Sequence, residues 1–155
     1  MARFRFKFQK VLDARNAVEK EKQKDLMVAK SQLAELEQEH SRINGEIKEQ
    51  QEEFAEVRDQ AETASTWALR QSYLDMLGSL KKAVANRIDR QKEIIEEKRI
   101  KLMEASRERK AMEILRDKHY GEYISSENRQ EQIFLNEIAQ SQTIRKMRDD
   151  GEVGA

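Results

Sequence analysis

Glu37 and His40 are the first residues of this 155-residue chain whose types and spacing could do chemistry. A Glu-x-x-His step puts two metal-ligating side chains one turn apart on a helix. A carboxylate-bridged di-iron site built this way needs a second Glu-x-x-His and two further glutamates from neighbouring helices. The chain has no second pair, and its other histidine, His119, is distant in sequence. There is no cysteine, which excludes disulfides and thiolate metal sites. The phosphate-cradling Gly-x-x-x-x-Gly-Lys and dinucleotide Gly-x-Gly-x-x-Gly patterns are also absent. We therefore expect no catalytic residue, no metal, no cofactor and no small-molecule substrate.

A second candidate chemistry is charge. The stretch KRIKLMEASRERK (98–110) carries six cations against two acids, enough to attract a phosphate backbone. It lacks the aromatic platform and fold signature that accompany nucleic-acid recognition. A solvated helix face is the plainer reading, and no nucleic-acid partner is expected. The whole chain is neutral, with 30 basic and 30 acidic residues, but the charges are segregated. Residues 1–30 carry nine cations and four acids, a net of +5; residues 35–62 carry three and ten, a net of −7. Such blocks suit complementary contacts along a rod or with partners.

The elements that position these side chains follow from periodicity. Charged residues make up 39% of the chain and hydrophobic ones 37%, against roughly 25% and 45–50% in a typical globular domain. There is no proline. Little can be buried except a narrow seam between long helices. From Leu26 the apolar spacing alternates steps of three and four through Ala29, Leu33, Leu36, His40, Ile43, Ile47, Gln50, Phe54, Val57, Ala61 and Ala64. That is a coiled-coil seam, and it places His40 on the seam, where one polar residue can fix register. Asn44-Gly45 often reads as a turn, but the heptad runs through it in phase, so one helix is expected. A second seam runs through Leu74, Leu77, Lys81, Val84, Ile88, Gln91, Ile95, Lys98, Leu102, Ala105, Arg109 and Met112. Its basic members can lay their stems along the groove and keep their charge at the rim.

Between the seams lies AETAST (61–66), small and polar, with Ser65 and Thr66 as N-cap candidates. The expected fold is all-α: a single long two-helix antiparallel coiled-coil hairpin whose second helix overhangs the first. Helix 1 spans about 3–61, the turn about 62–66 and helix 2 about 66–148, with a frayed tail at 149–155. A parallel homodimer is the structural rival. No apolar run is long enough for a membrane span or a signal-peptide core, so a soluble cytoplasmic protein is expected.

The opening stretch FRFKFQKVLDAR (4–15) alternates phenylalanines with cations, as a half-buried strand would. On a helix, Phe4, Phe8, Val11 and Leu12 share one face, continued by Arg15 and Val18, while Phe6 falls off it. The alternation is read as a coincidence at a helix start.

This stretch also resembles the amino-terminal signature of the FliJ family of flagellar export proteins, Phe-x-Phe-x-x-x-x-Val-Leu-x-x-Arg, here on Phe4, Phe6, Val11, Leu12 and Arg15. ENRQEQIFLNEIA (127–139) is similar to the family's closing motif at Glu127, Asn128, Arg129, Gln132, Glu137 and Ala139, with Asn136 where an aspartate is usual. ASRERKAMEIL (105–115) looks like the basic middle of the family's second helix.

The resemblance implies a stalk-like, non-enzymatic antiparallel coiled coil. It would bind the hexameric flagellar export ATPase and the membrane export gate protein and would contact export chaperones, in the cytoplasm at the inner membrane of the flagellar base. ATPase binding is then expected at Phe4, Phe8, Val11, Leu12, Arg15, Arg129 and Gln132. Gate binding is expected at Tyr73, Met76, Leu77, Leu80 and Val84, where apolar residues exceed what one seam can bury. The equivalent subunit of a virulence injectisome and a nucleic-acid-binding helical arm are the alternatives.

Overall fold

The computed structural model describes residues 3–57 and 63–152, with side chains through residue 149. It is all-α: helix α1 spans Gln9–Val57 and helix α2 spans Ala64–Glu152. The two helices pack against each other within one chain, and contacts group the residues into two units.

In the unit formed by Ala17–Ser106, α1 and α2 run antiparallel. Partner numbers on α2 fall as those on α1 rise: Ala29 with Gln91, Asn44 with Lys81, Glu46 with Tyr73, Phe54 with Trp67. The buried residues Ala29, Ile43, Leu77, Val84, Gln91 and Ala105 all lie on the two expected seams. Leu33, Leu36, His40, Ile47, Ile88 and Ile95 are half-buried on the same stripes. Gln91 is the buried polar member: its Nε2 donates to the Ala29 carbonyl at 2.9 Å and to Gln32 Oε1 at 3.1 Å. A satisfied amide costs little and specifies register, since sliding one helix past the other would strand it.

The helix continues through Asn44-Gly45, as the unbroken heptad requires. Asn44 Oδ1 accepts a 2.7 Å hydrogen bond from Lys81 Nζ, which draws a seam lysine to the rim. A Cβ on Gly45 would meet nothing within 4 Å. Gly45→Ala should therefore stabilise the helix by about 1 kcal/mol, read as a rise in the urea midpoint without a change in slope. A drop in the midpoint would mean that the glycine serves something other than helix geometry.

Helix α2 starts earlier than expected. Thr63 is the N-cap, its carbonyl accepting from the Trp67 amide at 3.1 Å, and Ser65 and Thr66 lie inside the first turn. The Thr63 hydroxyl pairs with the Thr66 hydroxyl at 2.8 Å. Ala64, read as the last member of the first seam, instead opens α2 and is exposed. Ala61, the expected end of helix 1 and the start of the turn at 62 lie outside the described residues. At the other end α2 runs to Glu152, beyond the expected limit of 148, and residues 153–155 of the expected frayed tail are also outside them.

The unit formed by Met1–Asn16 and Arg107–Ala155 departs further from expectation. Helix α1 begins at Gln9, not at residue 3; residues 3–6 have no regular secondary structure and residues 7–8 form a turn into the helix. The Phe8 carbonyl accepts the first helical bond, from the Leu12 amide at 3.0 Å. Beyond the arm, α2 residues 128–149 are exposed throughout.

Candidate functional site

In this second unit Phe4 and Phe6 of the amino-terminal arm (residues 3–8) face α2, and the cations between them face solvent. Phe6 is buried, at 6% exposure, whereas Phe8 is 38% exposed. The reading of a helix start with Phe4 and Phe8 on the packed face is thus corrected. Phe4 and Phe6 both reach aromatic residues of α2 from outside the helix, and burial of Phe6 outweighs helix propensity over these few residues. The Phe6 ring meets His119 at 5.8 Å and Phe8 at 5.9 Å. Phe4 lies edge-on to Tyr120 at 5.2 Å and tilted against Tyr123 at 5.5 Å. Such aromatic pairs add about 0.5–1.5 kcal/mol each beyond their burial. Burial, with a smaller contribution from the Glu127 carboxylate, pushes the Tyr123 hydroxyl above the usual tyrosine range.

Leu12, at 2% exposure, is buried in this unit and cannot face a partner. Val11 and Phe8 are accessible, and Arg15 is ion-paired with Glu108. Arg129 and Gln132 are exposed farther along α2 than Tyr123, with which the arm makes contact. The seven residues expected to bind the ATPase do not therefore form one cluster. An antiparallel fold-back places the Phe4 end beside residues 115–139, and the contacts with His119, Tyr120 and Tyr123 agree with it, although the heptad pattern singles out none of the three. Their signal was the aromatic spacing 119, 120, 123 on one helix, which lies past Met112, where the second seam ends.

In the Ala17–Ser106 unit, the five expected gate residues divide. Leu77 and Val84 are buried in the seam, which corrects their assignment to a surface. Met76 and Leu80 are exposed, and Trp67 and Leu69 add to them. Tyr73 is half-buried and its hydroxyl donates to Glu46 Oε1. That bond to a carboxylate raises the Tyr73 pKa, with desolvation adding to it. Its stabilising contribution is complete at neutral pH and is lost only as pH rises through the raised value. Beside it, Leu69, Tyr73 and Met76 line an apolar hollow of about 670 Å³ with Gln50, Arg70 and Ser72.

The Glu37–His40 pair gains no companions: no group of three His, Cys, Asp or Glu side chains able to hold a metal occurs among the described residues. His40 is half-buried at its seam position. Of the 98–110 cations, Arg99 pairs with Glu96 at 2.7 Å and Arg109 with Glu113 at 2.6 Å, while Leu102 and Ala105 turn to the seam. Among the described residues no helix is long and apolar enough to cross a membrane.

Comparison with family models matches residues 4–148 to the flagellar FliJ protein family. The chain belongs to that family. FliJ proteins are non-catalytic components of flagellar type III export, and the match spans both the aromatic arm and the exposed stretch of α2. No curated protein and no solved structure gives a significant match.

Proposed function

We propose that the chain is the stalk-like subunit of the flagellar type III export apparatus that binds the export ATPase ring and the export gate, couples the two, and contacts export chaperones. It would work at the cytoplasmic face of the inner membrane, at the flagellar base. The observation that carries this reading is the family match over residues 4–148. The antiparallel helix pair within residues 17–106 supports it, because two helices joined along a narrow seam suit contact along their surfaces rather than turnover in a pocket. Ring contact is assigned to Phe4, Phe8, Val11 and Arg15, with Arg129 and Gln132 as a separate exposed element. Gate contact is assigned to Tyr73, Met76 and Leu80.

Deletion of the gene should abolish secretion of hook and filament proteins, and the intact gene should restore it. Normal secretion in the deletion strain would remove the export assignment. For the gate surface, Tyr73→Ala combined with Leu80→Ala should leave the helical circular dichroism intact and weaken binding to purified gate domain about tenfold or more. Undiminished binding would move the contact elsewhere. Leu77→Ala serves as the contrast, with its loss expected in stability rather than in gate affinity.

A further inference from the structure

Where the amino-terminal arm lies on α2, a groove of about 720 Å³ opens to solvent. Phe4 and Tyr120 give it an apolar wall, Arg5, Lys10 and Arg116 stand along it, and Asp117 is the one acid in its lining. Tyr120 is 50% exposed although its ring is packed on Phe4, so apolar surface remains uncovered. Arg5 and Lys10 are exposed, with no carboxylate partner among the described residues. Among the described residues Arg116 pairs with its chain neighbour Asp117, at 3.2 Å, and an exposed pair of that kind holds an arginine weakly. Residues 3–16 carry five cations against Asp13, and the Gln9 side chain donates to that aspartate at 2.9 Å.

We propose that this groove seats an acidic peptide segment of a partner protein, with an apolar side chain on Phe4 and Tyr120 and carboxylates on Arg5, Lys10 and Arg116. Arginine forks match carboxylates with two parallel hydrogen bonds. A single-stranded nucleic acid fits less well. Its bases need open ring faces, whereas Phe4 is engaged by both tyrosines. The proposal deepens the ring-docking reading and rests on it for the source of the segment, the ATPase.

The test uses the full chain and a fluorescent peptide, Glu-Glu-Leu-Glu-Glu-Leu-Glu, beside its all-glutamine counterpart and oligouridylate. The acidic peptide should bind about tenfold or more tighter than the glutamine peptide, and its affinity should fall as salt rises. Arg5→Glu with Lys10→Glu, two exposed positions, should abolish that binding while helicity is kept. Equal binding of the two peptides, or a preference for oligouridylate, would overturn the proposal. So would a self-associated form that the double reversal dissolves, since a second copy presenting its exposed Glu49, Glu52, Glu53 and Glu56 would then be the occupant. Titration with purified ATPase separates the two claims. An ATPase that ignores the native chain sinks ring docking while the peptide still decides the groove. ATPase binding that survives the double reversal, with peptide binding lost, upholds the groove and moves the ring contact elsewhere.

Discussion

Ile43→Ala should cost about 3 kcal/mol of stability, within the range for large-to-small core changes. Ile43 has no solvent exposure and sits mid-seam on α1. The lost transfer free energy is only part of the effect. A helix pair with so few fully buried side chains has little surrounding structure that can relax into the cavity, so one position carries a large share of the total. For a chain of this size the melting temperature should fall by roughly 6–12 °C, followed by circular dichroism at 222 nm. Met27→Ala, at a site 69% exposed, should stay within about 0.5 kcal/mol. Similar small losses at both sites would show that the seam is not what holds the helices together.

Phe6→Ala should have the second large effect, about 3 kcal/mol by the same mechanism, but localised to the arm. Without that ring, residues 3–8 lose their main buried anchor and trypsin should cut after Arg3, Arg5 and Lys7 much faster. Phe8→Ala, at a position 38% exposed, should change the cleavage rate far less. The opposite order, with Phe8 the sensitive position, would restore the reading of a helix that starts near residue 3.

These two residues mark what could and could not be read from the sequence. Ile43 was legible because a heptad is a local pattern: its neighbours at Leu36, His40, Ile47 and Gln50 declare the face without knowledge of the partner. Continuity through Asn44-Gly45 was legible for the same reason, but register was not: it depends on the partner, and the buried polar residue is Gln91 rather than His40. Phe6 was not legible as a buried residue. Its spacing fits an extended chain, its context fits a helix, and the choice is made by His119 and by the Phe4 contacts with Tyr120 and Tyr123, over a hundred residues away in sequence. The candidate surfaces show the converse problem. Leu77 and Val84 satisfied two readings at once, seam and partner contact, and the stronger demand of burial took them, leaving Met76 and Leu80 outside. Thr63 was missed as the cap because Ser65 and Thr66 carry the same hydroxyl chemistry, and only the carbonyl–amide geometry tells them apart.

The contacts between α1 and α2 span ever larger sequence distances: 27 residues for Tyr73 with Glu46, 37 for Lys81 with Asn44, 62 for Gln91 with Ala29 and 93 for Arg15 with Glu108. Formed from an open chain, the last would close the largest loop; formed after the others, it closes only a short one. By loop closure alone, the Tyr73–Glu46 contact is the cheapest of these to form first and the Arg15–Glu108 contact the costliest. Opening in the reverse order releases Phe4 and Phe6 first. A partner gripping that end could therefore trade against the arm's own docking without disturbing the register that Gln91 fixes.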